Sequence, residues 1–170
     1  MNRIIEFFIS SLSQHGFTAF WASFVSQVII VLVLLILSSL IYWISKKIII
    51  SLFNRISKNT KTHFDDILIK NKAATRLSYL FPNLFLYQFL PEAFLEYETI
   101  ATLLKSILEA FTIIIVINLV RALLKTIRDY SKTFPSFKDK PIDSYIQVVM
   151  IFLWFIGGIL ILSVLTGKDI

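Results

Sequence analysis

The chain has 170 residues, of which 56% are apolar and only 16% charged, against roughly 25% charged in a soluble domain. The absence of cysteine and the presence of only two histidines exclude a disulfide framework, a thiolate metal centre and a histidine cluster. The net charge of +6 comes from basic residues flanking apolar stretches, so it reads as a topology signal and as contact with anionic lipid rather than with nucleic acid.

Residues 1–18 place Ile4, Ile5, Phe8, Ile9 and Leu12 at helical spacing, with Gly16 as a stop, which predicts a short interfacial helix. The apolar region that follows is too long for a signal peptide and lacks a small-residue cleavage site. No charge occurs between Glu6 and Lys46, a stretch of 39 residues, about twice what one crossing needs. The first span is predicted over 20–44, with Trp21 at one interface and Tyr42 and Trp43 at the other. Beyond it, Ile48, Ile49, Leu52, Phe53 and Ile56 keep helical spacing, with Lys47, Asn54, Arg55 and Lys58 between them. The helix is therefore expected to continue past the membrane face, either packed on the next span or riding on the lipid surface. Lys46, Lys47, Arg55 and Lys58 are the candidate contacts for anionic lipid.

"THFDDILIKNK" places Asp65 three residues after Thr62, as in a capping box, and the pair Asp65–Asp66 suits the first turn of a helix. Paired carboxylates beside His63 also raise acid–base or metal chemistry, but no second cluster of such groups accompanies them, and the helix start is the stronger reading. Fifteen uncharged residues between Arg76 and Glu92 predict a short second span over 74–91, kinked by Pro82, ended by Pro91, with Arg76 snorkelling to the interface. A re-entrant hairpin is the competing reading. The third span is predicted over 100–124, where Lys105 and Glu109 lie one turn apart and can pair near one interface. Pro141 and Asp143 then suit the first turn of a fourth helix, which spans 145–166 with Gly157 and Gly158 at its centre. Adjacent glycines there mean close helix packing or a bend.

Residues 45–76 contain eight Lys or Arg and residues 121–140 contain six, whereas the turn at 91–99 has none and carries Glu92, Glu96 and Glu98. The loops 45–73 and 125–144 are therefore expected in the cytoplasm and both termini outside. The fold class expected is an all-α membrane protein, with an N-terminal interfacial helix (1–18) and about four transmembrane helices in a unit over 19–170. No phosphate loop, nucleophile elbow or metal-ligand spacing appears, so neither enzymatic activity nor a cofactor is expected.

Two stretches carry a resemblance. "FDDILIKNKAATRLSYLFPNLFLY" (64–87) and "KPIDSYIQVVMIFLWFIGGILILSVLTGKD" (140–169) resemble blocks of the YbdG-type miniconductance branch of the MscS superfamily of mechanosensitive channels. Phe64 stands where that branch commonly has tryptophan. The resemblance implies a tension-gated homo-oligomer, a heptamer in the family pattern, acting against hypo-osmotic shock in the inner (plasma) membrane. It assigns structural coupling to Asp65, Asp66, Arg76 and Pro82 in the first block and to Pro141, Tyr145 and Gln147 in the second. It also implies a glycine- and alanine-rich pore helix and a β-rich cytoplasmic domain. The chain has four glycines and no span with such a face, so ion conduction is expected beyond Ile170. The alternative is a small multispanning adaptor without a pore of its own.

Overall fold

The computed structural model describes residues 10–11, 18–59, 64–94, 97–134 and 141–167. Apart from 10–11 and 18, the interfacial helix expected over 1–18 lies outside the described residues, as does Thr62 of the expected capping box. Six α-helices follow in order: α1 (Ala19–Asn59), α2 (Phe64–Lys70), α3 (Ala73–Ser78), α4 (Leu80–Phe89), α5 (Glu98–Ser131) and α6 (Ile142–Thr166), with a 3₁₀ turn at Pro91–Phe94 between α4 and α5. No strand occurs among the described residues.

α1 is one helix of 41 residues, about 60 Å long, so it exceeds a ~30 Å hydrocarbon layer by several turns. This is the continuation expected past the first span. Ile49 is buried on that extension and Phe53 packs against Leu68, Ala73 and Ala122, while Ile48 and Leu52 stay exposed. One face of the extension thus packs on the protein and the other is left open.

Among the described residues, three helices are long and apolar enough to cross a membrane: Phe20–Arg55 within α1, α5 and α6. The expected span 74–91 is instead divided between α3 and α4, with Tyr79 at the join. The cause is Pro82, which has no N–H for the Ser78 carbonyl and whose ring crowds that carbonyl. Pro91 ends α4 as the sequence predicts, opening the 3₁₀ turn. At the join of α2 and α3, Lys72 adopts φ 60°, a left-handed conformation that costs a side-chain-bearing residue about 1–2 kcal/mol and that separates the two helices.

The helices form a row. The α2–α4 segment packs on α1 through one side and on α5 through the other, and α6 packs on the far side of α5. Ile30 and Leu34 of α1 meet Ala93 and the partly buried Phe85, Leu86, Leu90 and Phe94 in one apolar cluster. A second cluster, Leu68, Ala73 and Ala122 with Phe53 and Phe64, closes the basic end. A row has two open flanks. Only 6% of α6's most apolar window and 28% of α1's are buried, so these helices present to their surroundings the large apolar side chains that a soluble core would enclose.

Gly157 shows why α6 approaches α5 closely. A Cβ on it would overlap Ile117 Cδ1, and Ile117 is itself buried. Gly158 has nothing within 4 Å. Of the two expectations for this pair, close packing holds at Gly157. We expect Gly157→Leu to force α5 and α6 apart and lower the melting temperature in detergent by several degrees, with Gly158→Leu close to wild type. Equal shifts for both variants would show that the glycine contact does not set this interface.

Candidate functional site

Four polar rungs join the α2–α4 segment to α5. Asn71, at the turn after α2, donates through Nδ2 to Asp129 Oδ2 at 3.0 Å and to Thr126 Oγ1 at 3.4 Å. Arg76 Nη1 donates to the Asn118 side-chain oxygen at 2.7 Å and to the Asn118 carbonyl at 3.1 Å. Asn83 Nδ2 donates to Thr112 Oγ1 at 2.7 Å and to the Leu108 carbonyl at 3.2 Å. Tyr87 donates its hydroxyl to Glu109 Oε1 at 2.6 Å, and the Lys105 ammonium stands 5.5 Å from the centre of the same ring.

The partners on α5 advance from residue 129 to 109 as those on the other strand of the ladder advance from 71 to 87. The segment therefore runs antiparallel to α5 in one direction for about 25 Å. A re-entrant hairpin would return to its starting level, and these rungs do not. Lys105 and Glu109, expected to pair with each other, converge instead on Tyr87. Among the described residues, no buried side-chain nitrogen or oxygen lacks a partner, as a low-dielectric surrounding demands.

Each residue singled out in the sequence has a place. Asp66 is exposed in the first turn of α2, while the side chains of Asp65 and Lys58 lie outside the described residues. Arg76 does more than reach for an interface: it is bonded to the middle of α5, beside a cavity of about 320 Å³ also lined by Lys72, Thr75 and Tyr79. The Pro82 carbonyl accepts a long hydrogen bond, 3.5 Å, from Ser38 of α1. Pro141 precedes α6, and its carbonyl accepts the Ser144 and Tyr145 amides. Tyr145 is exposed, and Gln147 lines a second cleft between α5 and α6. The two motif blocks thus dock on opposite sides of α5.

On α1, Lys46 lies 5.6 Å from the Tyr42 ring centre and Lys47 lies 5.8 Å from that of Trp43, while Arg55 is exposed. Tyr42 in turn stacks on Tyr79, with ring centres 5.0 Å apart and planes 7° from parallel. This contact ties the basic end of α1 to the α3–α4 join.

α5, at 34 residues or about 50 Å, extends beyond any hydrocarbon layer, and its basic end meets the start of α6 there. Lys132 Nζ reaches Asp143 at 2.7 Å, and Arg128 reaches Asp129 at 2.8 Å and Asp143 at 3.4 Å. The hydrogen bond from Lys132, with the charge of Arg128, holds the Asp143 carboxyl below its ordinary range. Burial pushes Asp129 upward, but the hydrogen bonds from Asn71 and Arg128 prevail and hold it low as well. Both carboxylates therefore stay ionised at neutral pH, and Asp143 clasps α6 to α5 across the connecting loop. The pairs are exposed or half-exposed, so the clasp fixes position more than it adds stability.

The arrangement supplies hydrogen-bonded coupling between helices. No group of three or more His, Cys, Asp or Glu suited to a metal occurs among the described residues. Asn71, Asn83, Thr112, Asn118 and Thr126 were not singled out from the sequence. The available signal was their polarity within apolar helices. No family, curated protein or solved structure matches the chain.

The Arg76–Asn118 rung is open to a double-mutant cycle. Asn118→Leu leaves a half-buried guanidinium short of its best acceptor, and we expect a loss of about 1–3 kcal/mol in unfolding from mixed micelles. Arg76→Leu/Asn118→Leu should cost clearly less than the sum of the single variants. Additive losses would mean that the rung carries no coupling.

Proposed function

We propose that this chain is the tension-sensing transmembrane part of a mechanosensitive channel of the MscS superfamily, which protects cells against hypo-osmotic shock. It lies in the inner (plasma) membrane with both termini outside and the loops 45–73 and 125–144 in the cytoplasm. α3 and α4 together make the fourth crossing, and several copies assemble around a pore formed by a helix not contained in this sequence. The observation that carries the reading is the row itself: α6 is almost uncovered, α1 is largely so, and α5 between them is bonded to both motif blocks.

The mechanism follows from differential contact. Tension favours whichever state has the greater in-plane area, and only surfaces whose lipid contacts differ between states can shift that equilibrium. α1 offers such a surface, tied to the rest through the Tyr42–Tyr79 stack and the α2–α4 segment. A change in its tilt reaches α5 through the ladder, and α6 follows through the Gly157 contact and the Asp143 clasp.

Spin-label distances between α1 and α5, measured in bilayers with and without lysolipid to mimic tension, should change by several ångströms. An unchanged distance distribution would overturn the sensing role. The 170 residues reconstituted alone should give no tension-activated current in patch-clamp recordings, and robust conductance would refute a pore outside them. In the second reading, a pore-less adaptor, the uncovered α6 is a surface for another protein. A downstream stop codon would favour that reading, and an in-frame glycine- and alanine-rich helix would exclude it.

Neutralising Lys46, Lys47, Arg55 and Lys58 together should weaken the orientation bias and the affinity for anionic vesicles. Accessibility labelling that still places both basic loops inside, with unchanged vesicle binding, would show that these four charges have neither role.

A further inference from the structure

We infer that the cleft between α5 and α6 is a binding site for the phosphodiester headgroup of an anionic phospholipid. The inference needs only that these helices sit in a bilayer, and it stands whether or not the chain senses tension. Arg121, Lys125 and Arg128 follow one another at spacings of four and three residues, which places all three on one face of α5. That face borders a cavity of about 350 Å³, whose opposite wall is Asp143, Gln147, Met150 and Trp154 of α6. The volume suits a small polar headgroup.

The charges do not cancel. Arg128 and Lys132 are engaged by Asp129 and Asp143 at the mouth of the cleft. Among the described residues no hydrogen bond or ion pair engages Arg121 or Lys125, so those two cations are in excess. Arg121 also lies inward of the open end. Gly157 lies against Ile117, and the helices run antiparallel, so Trp154 falls near the level of Arg121, about 10 Å along the axis from Arg128. A cation at that depth, among apolar side chains and beside an indole, needs an anion that the described protein does not provide.

The cleft is amphipathic. Its outer end is cationic, and its inner end is apolar at Met150 and Trp154, next to the exposed flank of α6. A free phosphate would satisfy the charges and leave the apolar wall empty. A phospholipid satisfies both, with its phosphate between Arg121 and Lys125, Gln147 within reach of the glycerol oxygens, and an acyl chain along Met150 and Trp154. Basic pockets between transmembrane helices are known physical sites for anionic headgroups.

The test uses the full chain in nanodiscs of phosphatidylcholine doped with phosphatidylglycerol, with retained lipids counted by native mass spectrometry. Wild type should keep phosphatidylglycerol in preference to phosphatidylcholine. Arg121→Gln/Lys125→Gln should lower that preference about thirtyfold, as expected for two interfacial cations, and Arg121→Lys/Lys125→Arg should restore it. Lys105→Gln, at the opposite end of α5 beside Tyr87, should leave it unchanged. Retained preference in the neutralised variant would overturn the site, as would equal retention of both lipids by wild type. Displacement of the lipid by millimolar inorganic phosphate would identify a soluble anion as the ligand instead. If the neutralised variant does not insert, a photoreactive phosphatidylglycerol decides on the wild-type chain. Labelling of α5 and α6 within the cleft supports the site, and labelling confined to α1 refutes it.

Discussion

A helix surrounded by hydrocarbon must satisfy its own polar groups, and this constraint organises the row of helices. The α2–α4 segment cannot meet it alone. It carries Asn71, Arg76, Asn83 and Tyr87, and its backbone ladder is interrupted at the Tyr79 join by Pro82. All four side chains find their partners on one helix, α5. Sliding the segment along α5 by one residue would turn its partners away, leaving a guanidinium and two amides unpaired at a cost of a few kcal/mol each. Apolar packing alone tolerates such slippage because lipid competes with side chains on nearly equal terms. The ladder therefore fixes register where hydrophobicity cannot.

Given that register, α5 becomes the element through which everything else is connected. α1 touches it through the α2–α4 segment, and α6 touches it directly. The two sides differ in chemistry. Toward α3 and α4 the contact is hydrogen-bonded and specific; toward α6 it is a glycine against an isoleucine, closed at one end by exposed ion pairs. The first is directional and fixes register; the second is more extensive and rests on close apolar approach at Gly157.

Much of this could be read from the chain. The charge-free run to Lys46 defines α1, and the spacing of Ile49 and Phe53 carries the helix beyond the membrane face, where both residues do pack inward. Pro82 and Pro91 punctuate the next segment where helix chemistry says they should. The ladder was not legible, because which residue of α5 faces Arg76 is a property of two helices in contact, and periodicity describes one helix at a time. For the same reason Lys105 and Glu109 looked like an intrahelical pair, one turn apart, when Tyr87 of another helix had the better geometry for the carboxylate. Arg121, Lys125 and Arg128 were visible only as a count of positive charges; their common face acquires meaning once α6 supplies an opposite wall.

That last point changes which cations matter for lipid. Lys46 and Lys47 look like the lipid contacts in sequence, because they end the longest apolar run. Each lies over an aromatic ring of its own helix, so part of its charge is already met within the protein. Arg121 and Lys125 have no such partner among the described residues. An anion gained or lost at α1 would exchange one modest interaction for another, whereas the same event in the α5–α6 cleft would neutralise or expose two charges at the most extensive helix contact of the row. The charge balance in that cleft therefore depends on the anion that occupies it, and the bilayer's composition acts on the structure between its two most extensively packed helices.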